Sequence, residues 1–365
     1  MIDYRPIAKT IIEHSCKLTS GDNFYVSVRG TSQKGLAKAL LEMAEEKGIR
    51  TVYHFDTIEG RHQFWENATE EDVQKLIDKE GAIMSAIDGV ALISDNYSIP
   101  LSKQAKEKSN KYFIEVHQKI RLNKKWLLTI VPSLEDCNGD EKLFEEMMNV
   151  YVKSCSIDYD KLDKAFDSLK ALMEKTDKVR IIAKDTDLTF SIKGLPAVKC
   201  AGEFNLPDGE IFTAPVKDSV NGYITYNLPS KHNGITHVGI RLDFENGKIV
   251  SQTSDHPTEL AEEFDVDEGA RYVGEFAIGV NPLINKCFNN ILYDEKIAGS
   301  IHFTPGACYD ECDNGNQSVL HWDLVQAHTP EFGGGEIWFD DVLIRKDGKF
   351  VLEELKNLNP ENLLN

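Results

Sequence analysis

Side chains able to hold a metal ion concentrate in residues 271–323: Glu275, His302, Tyr309, His321 and Asp323. Their spacing matters more than their number. His321 and Asp323 stand two apart in VLHWDLV, a β-rich run in which alternate side chains share a face. An imidazole and a carboxylate on one strand face form a clamp for a divalent cation. His302 occupies a comparable place in SIHFT, on a second expected strand. A single histidine inside an apolar run is most often a core residue with a hydrogen-bonded ring. Two of them, one with an in-register aspartate, point as readily to a site of histidines and carboxylates, with no substrate specified.

The carboxylates differ by context. Glu275 sits between Val273 and Ala277 in an otherwise apolar strand, where an unpaired charge is very costly. Glu210 follows Pro-Asp-Gly, a turn signal after which an exposed glutamate is the ordinary outcome. Four more histidines, His232, His237, His256 and His328, have no carboxylate patterned around them and read as ordinary surface or core residues. Cys308 and Cys312 flank Tyr309, but no second cysteine pair or suitably spaced histidine makes them a zinc site.

Beyond single residues, the runs GEFAIGVNP at 274–282, LYDEKIAGSIHFTPGACY at 292–309 and NQSVLHWDLV at 316–325 carry a resemblance. They resemble the dinuclear-metal aminopeptidases of the aminopeptidase T, aminopeptidase S and PepS family. GEFNLPDGEIFTAP at 202–215 looks like that family's first metal-binding block, and DTDLT at 185–189 like the element before it. The ordered blocks span 185–325, with a weaker echo in KKWLLTIVPS at 124–133.

That resemblance implies a metallo-aminopeptidase acting on peptide substrates with a free N-terminus. Carried over position by position, the family's ligands fall on Glu210, Glu275, His302, Tyr309, His321 and Asp323. It implies two divalent metal ions, about 3.5–4 Å apart and joined by a bridging carboxylate. Zinc, cobalt or manganese suits this mix of donors. Glu275 is the expected bridge. Tyr309 is expected as a ligand or, since a phenol ligates poorly until deprotonated, as a catalytic hydrogen-bond donor to the tetrahedral intermediate. Glu203 and Glu295 lie in family-like blocks and are expected to support the ligands from outside the metal shell. A homodimer is also implied, and EIWFDDVL at 336–343 offers an aromatic stretch for it. The interval from Tyr309 to His321 is shorter than in many relatives, which leaves side-chain preference open. The alternatives are a non-catalytic peptide-binding or scaffold protein that keeps the fold, and another metal-dependent amidase.

Holding such residues in place requires rigid strands, and the patterning supplies them in two regions. The chain's 365 residues suffice for two domains. In residues 1–156, segments 23–30, 51–56, 89–94 and 125–133 read as strands, alternating with helices over 31–48, 69–80 (capped by Thr69) and 100–122. Another helical pattern opens the chain. This alternation predicts an α/β N-terminal domain with a parallel sheet and helices on both faces. The turn VRGTSQKG at 28–35 lacks the glycine spacing of a dinucleotide site. Residues 134–178 read as charged helices, with a boundary near Ile157. From 179 onward short β-type runs dominate, with hairpin turns at ENGK (245–248) and KDGK (346–349) and a Pro-initiated helix at 257–265. Residues 157–365 are therefore expected as a strand-rich α+β C-terminal domain, catalytic and metal-binding.

Composition narrows the partners. A net charge of −19 argues against nucleic acid and against anionic membrane surfaces. No apolar run is long enough to span a bilayer, and MIDYRPIAKTIIEHS lacks the apolar core of a signal peptide. Seven irregularly spaced cysteines fit free thiols and a cytoplasmic location.

Overall fold

The strand-like runs at the start of the chain pair in parallel. Strands β1 (Asn23–Arg29), β2 (Arg50–Asp56), β3 (Gly89–Ser94) and β4 (Lys125–Ile130) lie in the order β2-β1-β3-β4, with Asn205–Leu206 alongside β4. The five central residues of β1 are buried whichever face they point to, which is why its apolar run is nearly continuous. In this computed structural model the described residues are 2–30, 33–95, 99–117, 124–137 and 139–365. They divide into two units, Met1–Ser156 with Gly202–Pro207, and Ile157–Ala201 with Asp208–Asn365.

Helices Lys34–Glu46, Ile58–Asn67, Glu70–Ala86 and Lys103–Tyr112 connect the parallel strands. Thr69 caps the third through a capping box with Asp72, as its position suggested, but the helix runs on to Ala86. Trp65, Val73, Ile77 and Tyr112 from these helices pack on Tyr25 and Val90 of the sheet. Helix Ile58–Asn67 was not expected. Its sequence has Gly60 in the first turn and a single buried side chain, Trp65, so it shows no helical apolar period. The helix expected over 100–122 gives way after Tyr112 to a π-helical turn, Phe113–His117. Residues 118–122 of that expectation, and residues 31–32 of the one over 31–48, lie outside the described residues.

The second unit is strand-rich α+β. Helix Tyr159–Met173 precedes an eight-stranded sheet whose inner strands include Thr186–Ser191, Lys178–Ala183 and Gly335–Phe339. Turns at Asn246–Gly247 (φ 48° and 84°) and Asp347–Gly348 (φ 48° and 81°) close two hairpins of this sheet where the sequence marks them. Asp340 and Asp341 (φ 45° and 65°) make a third in FDDV, which carries no glycine to announce it.

A second, antiparallel sheet follows the order Val325–Ala327, Ser300–Pro305, Val273–Gly279, Glu210–Thr213, Val198–Cys200. One of its faces packs on the larger sheet through aromatic rings. Phe276 and Phe303 meet Phe190, each at 5.0 Å between centroids. Period-two alternation then sends Glu275, Ala277, His302 and Thr304 to the opposite face. Among the described residues no helix is long and apolar enough to cross a membrane.

Candidate metal centre

Register assembles the site. Ala277 pairs with His302 and Glu275 with Thr304, so Glu275 and His302 are diagonal neighbours on one face. On the other side of that strand Gly279 pairs with Glu210, and Glu210 in turn pairs with Cys200. A bulge between Val273 and Glu275 offsets the ladder beside the glutamate. Glu210 is buried at the start of its strand, not exposed after a turn. Gly209 before it has φ +133°, and a Cβ there would lie 3.1 Å from the backbone of Asn281.

The segment carrying His321 and Asp323 is a correction to the expected strand. Only His321 makes a bridge, to Gly306, and the regular strand starts at Val325. The backbone is nevertheless tied to its neighbour, Trp322 donating to the Pro305 carbonyl and Phe303 to that of Leu324. His321 and Asp323 therefore still meet, Nε2 to Oδ1 at 3.4 Å. Trp322 between them stacks on His232 at 4.5 Å and packs on His237 at 5.3 Å. His232 has a carboxylate partner after all, Glu263 at 3.2 Å, brought near by the fold and not by sequence spacing.

Five of the six anticipated side chains converge. Nε2 of His302 lies 3.1 Å from Glu275 Oε1 and 3.3 Å from Glu210 Oε2. His321 Nε2 lies 3.4 Å from Glu275 Oε2. Tyr309, the sixth, is 42% exposed and joins through its ring, 4.8 Å from that of His321 and 5.5 Å from Phe212. Sequence reasoning missed Asp208, Cys200 and Lys296. Glu295, expected to support the ligands from outside, has a carboxylate oxygen close to donor atoms of His302 and Asp323. Among the described residues, four trios bring one donor atom each within 4.8 Å of one another: Glu210, Glu275, His302; Glu275, His321, Asp323; Glu295, His302, Asp323; and Cys200, Asp208, Glu210. Glu203 belongs to the other unit. Cys308 pairs with Asp313 and, like Cys312, is a free thiol.

The electrostatics favour added cations. Burial opposes charging of both imidazoles, but the carboxylates prevail, and His302 is pushed up to about 9 by Glu210 and Glu275. His321 rises to about 12 beside Asp323 and Glu275. Burial, with Glu210 and Asp323, raises Glu295 to about 8. Although Tyr309 as a residue is 42% exposed, its phenol group is enclosed, and that burial with Glu275, Asp323, Glu295 and Glu210 holds it above its usual range. A crowd of carboxylates that draws protons onto its histidines will draw metal ions in their place. The donor set fits such ions. His321 Nδ1 lies 2.8 Å from the Ala307 carbonyl, and donating its proton there turns the Nε2 lone pair toward Glu275. Among the described residues, that Nε2 and Glu210 Oε2 are buried atoms within ion-pair distance of their neighbours but with no formed hydrogen bond.

Comparison with known proteins bears on this geometry. Residues 3–350 match the model of a family described as thermophilic metalloproteases (M29). Aminopeptidase 2 of Geobacillus stearothermophilus is 32% identical over 164 residues, 40% of this chain and 37% of that protein. The chain thus spans little more than a third of the length of that curated relative. Among solved structures, wild-type AmpT from Thermus thermophilus superposes with a TM-score of 0.77 at 19% identity, covering 96% of this chain and 99% of the other. The 2,5-dihydroxypyridine dioxygenase of Pseudomonas putida KT2440 gives 0.65 at 14% identity, covering 97% and 100%. These two likenesses establish the fold and leave the chemistry to the residues.

Proposed function

The chain belongs to the M29 family of thermophilic metalloproteases, and on that premise we propose that it is a metallo-aminopeptidase with a two-ion centre in its second unit. One observation carries the two-ion reading: Glu275 is common to the trio with Glu210 and His302 and to the trio with His321 and Asp323. In this reading Glu275 would be shared by both ions, Glu210 and His302 would help hold one, and His321 and Asp323 the other. Glu295 stands by His302 and Asp323 as a further carboxylate donor. Two divalent ions of the zinc, cobalt or manganese class would supply a Lewis acid for the scissile carbonyl, a nucleophilic water at neutral pH and an anchor for the free amine. Thr304 donates to Asp323 at 2.8 Å and so fixes the orientation of that carboxylate. The phenol of Tyr309, held protonated by burial and its acidic neighbours, is suited to donate a hydrogen bond to the developing oxyanion.

Charge balance supports the same stoichiometry. Asp208, Glu210, Glu275, Glu295 and Asp323 bring five carboxylates and Lys296 one ammonium. With Glu295 ionised, as bound cations would favour despite its raised pKa, four negative charges are left over, the number that two divalent ions would neutralise. Seven free thiols support a cytoplasmic location, and the active form is proposed as a homodimer.

The test is turnover of dipeptides beside their N-acetylated counterparts. Release of the N-terminal residue from free-amine peptides alone is the expected result. Equal turnover of both would make the chain an amidase of another kind, and turnover of neither a binding protein.

A further inference from the structure

Lys296 directly follows Glu295 and is 1% exposed. Its Nζ lies 2.6 Å from Glu210 Oε1, 2.7 Å from Glu295 Oε1 and 3.6 Å from Asp208 Oδ1. Its backbone is held on both sides. The amide donates to the Tyr293 carbonyl and the carbonyl accepts from Asn281, whose side-chain amide reaches the Asp208 carbonyl at 2.6 Å. An ammonium this deeply enclosed persists only because carboxylates surround it.

What it displaces is visible beside it. Cys200 is the register partner of Glu210, and Cys200, Asp208 and Glu210 bring one donor atom each within 4.8 Å of one another. A sulfur and two carboxylates are a competent set for zinc or cobalt. The ammonium touches both carboxylates of that set. It also engages Glu210 through Oε1, while Oε2 faces His302.

We propose that Lys296 is a positioning residue that takes the place of a third cation. It closes the Cys200–Asp208–Glu210 set, turns Glu210 Oε2 toward the ion pair, and keeps the Cys200 sulfur out of the metal shell. This rests on the two-ion reading above. The consequence is a centre limited to two ions with nitrogen and oxygen donors only, and without a thiolate open to oxidation.

Cobalt-substituted protein tests this without an activity assay. Wild type should hold about two ions per chain and show no sulfur-to-cobalt charge-transfer absorption. Lys296→Gln should rise to about three ions and gain that absorption, and Lys296→Gln with Cys200→Ser should lose it. Lys296→Arg, which keeps the charge, should stay at about two ions with no sulfur band. Lys296→Gln remaining at two ions without the band would overturn the proposal. If that variant does not fold, X-ray absorption on wild type decides: a nitrogen and oxygen shell supports it, and a sulfur scatterer at about 2.3 Å overturns it. Wild type binding no metal would instead overturn the two-ion reading itself.

Discussion

Oε2 of Glu275 lies 3.4 Å from Nε2 of His321. Its other oxygen lies 3.1 Å from Nε2 of His302, so one carboxylate addresses two histidines that arrive from different segments. Glu275 is 2% exposed and flanked by apolar strand residues, a position tolerable for a charge only when both oxygens are engaged. The histidines and burial set its charge: burial works against ionisation, and His302 with His321 still hold it below the usual carboxylate range.

Removing the shared carboxylate should cost more than removing one on a single side. Glu210→Gln is expected to retain about one ion per chain, and Glu275→Gln fewer, measured on protein purified without chelator. Activity of Glu275→Gln should fall by more than the roughly 10- to 100-fold that losing an outer partner of a metal ligand costs. Equal retention in the two variants would place the bridge elsewhere.

Acidity should control loading over a wide range. The metal-free pKa of His302, about 9, stands above the ordinary value of about 6.5. A raised value means that its proton stabilises the metal-free fold below about 6.5, and that this contribution is lost as pH rises through about 9. Metal must displace the same proton, so affinity should climb across that window, by up to about tenfold per pH unit for each proton released. Competition titrations at several pH values, with proton release followed in parallel, check this. Flat affinity between pH 6.5 and 9 would contradict it.

Gly209→Ala separates a close approach from backbone strain alone. Its φ of +133° and the 3.1 Å approach to Asn281 mean that a methyl group must move the turn carrying Asp208 and Glu210. A loss of about 1–3 kcal/mol together with weaker metal binding is expected. Gly194→Ala, at φ +79° with open space around it, should cost about 1–2 kcal/mol and leave metal affinity unchanged. Denaturant titrations and metal titrations of both variants make the comparison.

Trp322 supports His321 and Asp323 from behind. Its indole is 4% exposed, stacks on His232, and donates from Nε1 to Ser230 at 2.9 Å. Trp322→Ala should lose about 3–5 kcal/mol of stability and bind metal less tightly, since the two flanking side chains lose their backing. Unchanged affinity in a folded variant would show that the backbone alone positions them.

Much of the site was legible because extended backbone repeats every two residues. Glu275 and His302 fall on one face by that period, and His321 and Asp323 stay together even where their ladder is broken. The same logic did not reach Asp208, two before Glu210, because Gly209 between them takes a positive φ and interrupts the alternation. Lys296 gave no local signal. A lysine after a glutamate reads as surface, and its burial follows from Asp208 and Glu210 arriving from far along the chain. In the first unit the alternation of strands and helices showed the parallel sheet, whereas helix Ile58–Asn67, with one buried residue, had no period to read.

The central claim is a two-ion hydrolytic centre built around Glu275, and metal content measured beside aminopeptidase activity tests it most directly. Wild type should hold about two divalent ions per chain, and His321→Ala, which disables one side, should fall to about one ion and lose the release of aminoacyl anilides. Wild-type protein stripped of metal that still hydrolyses those anilides would contradict it.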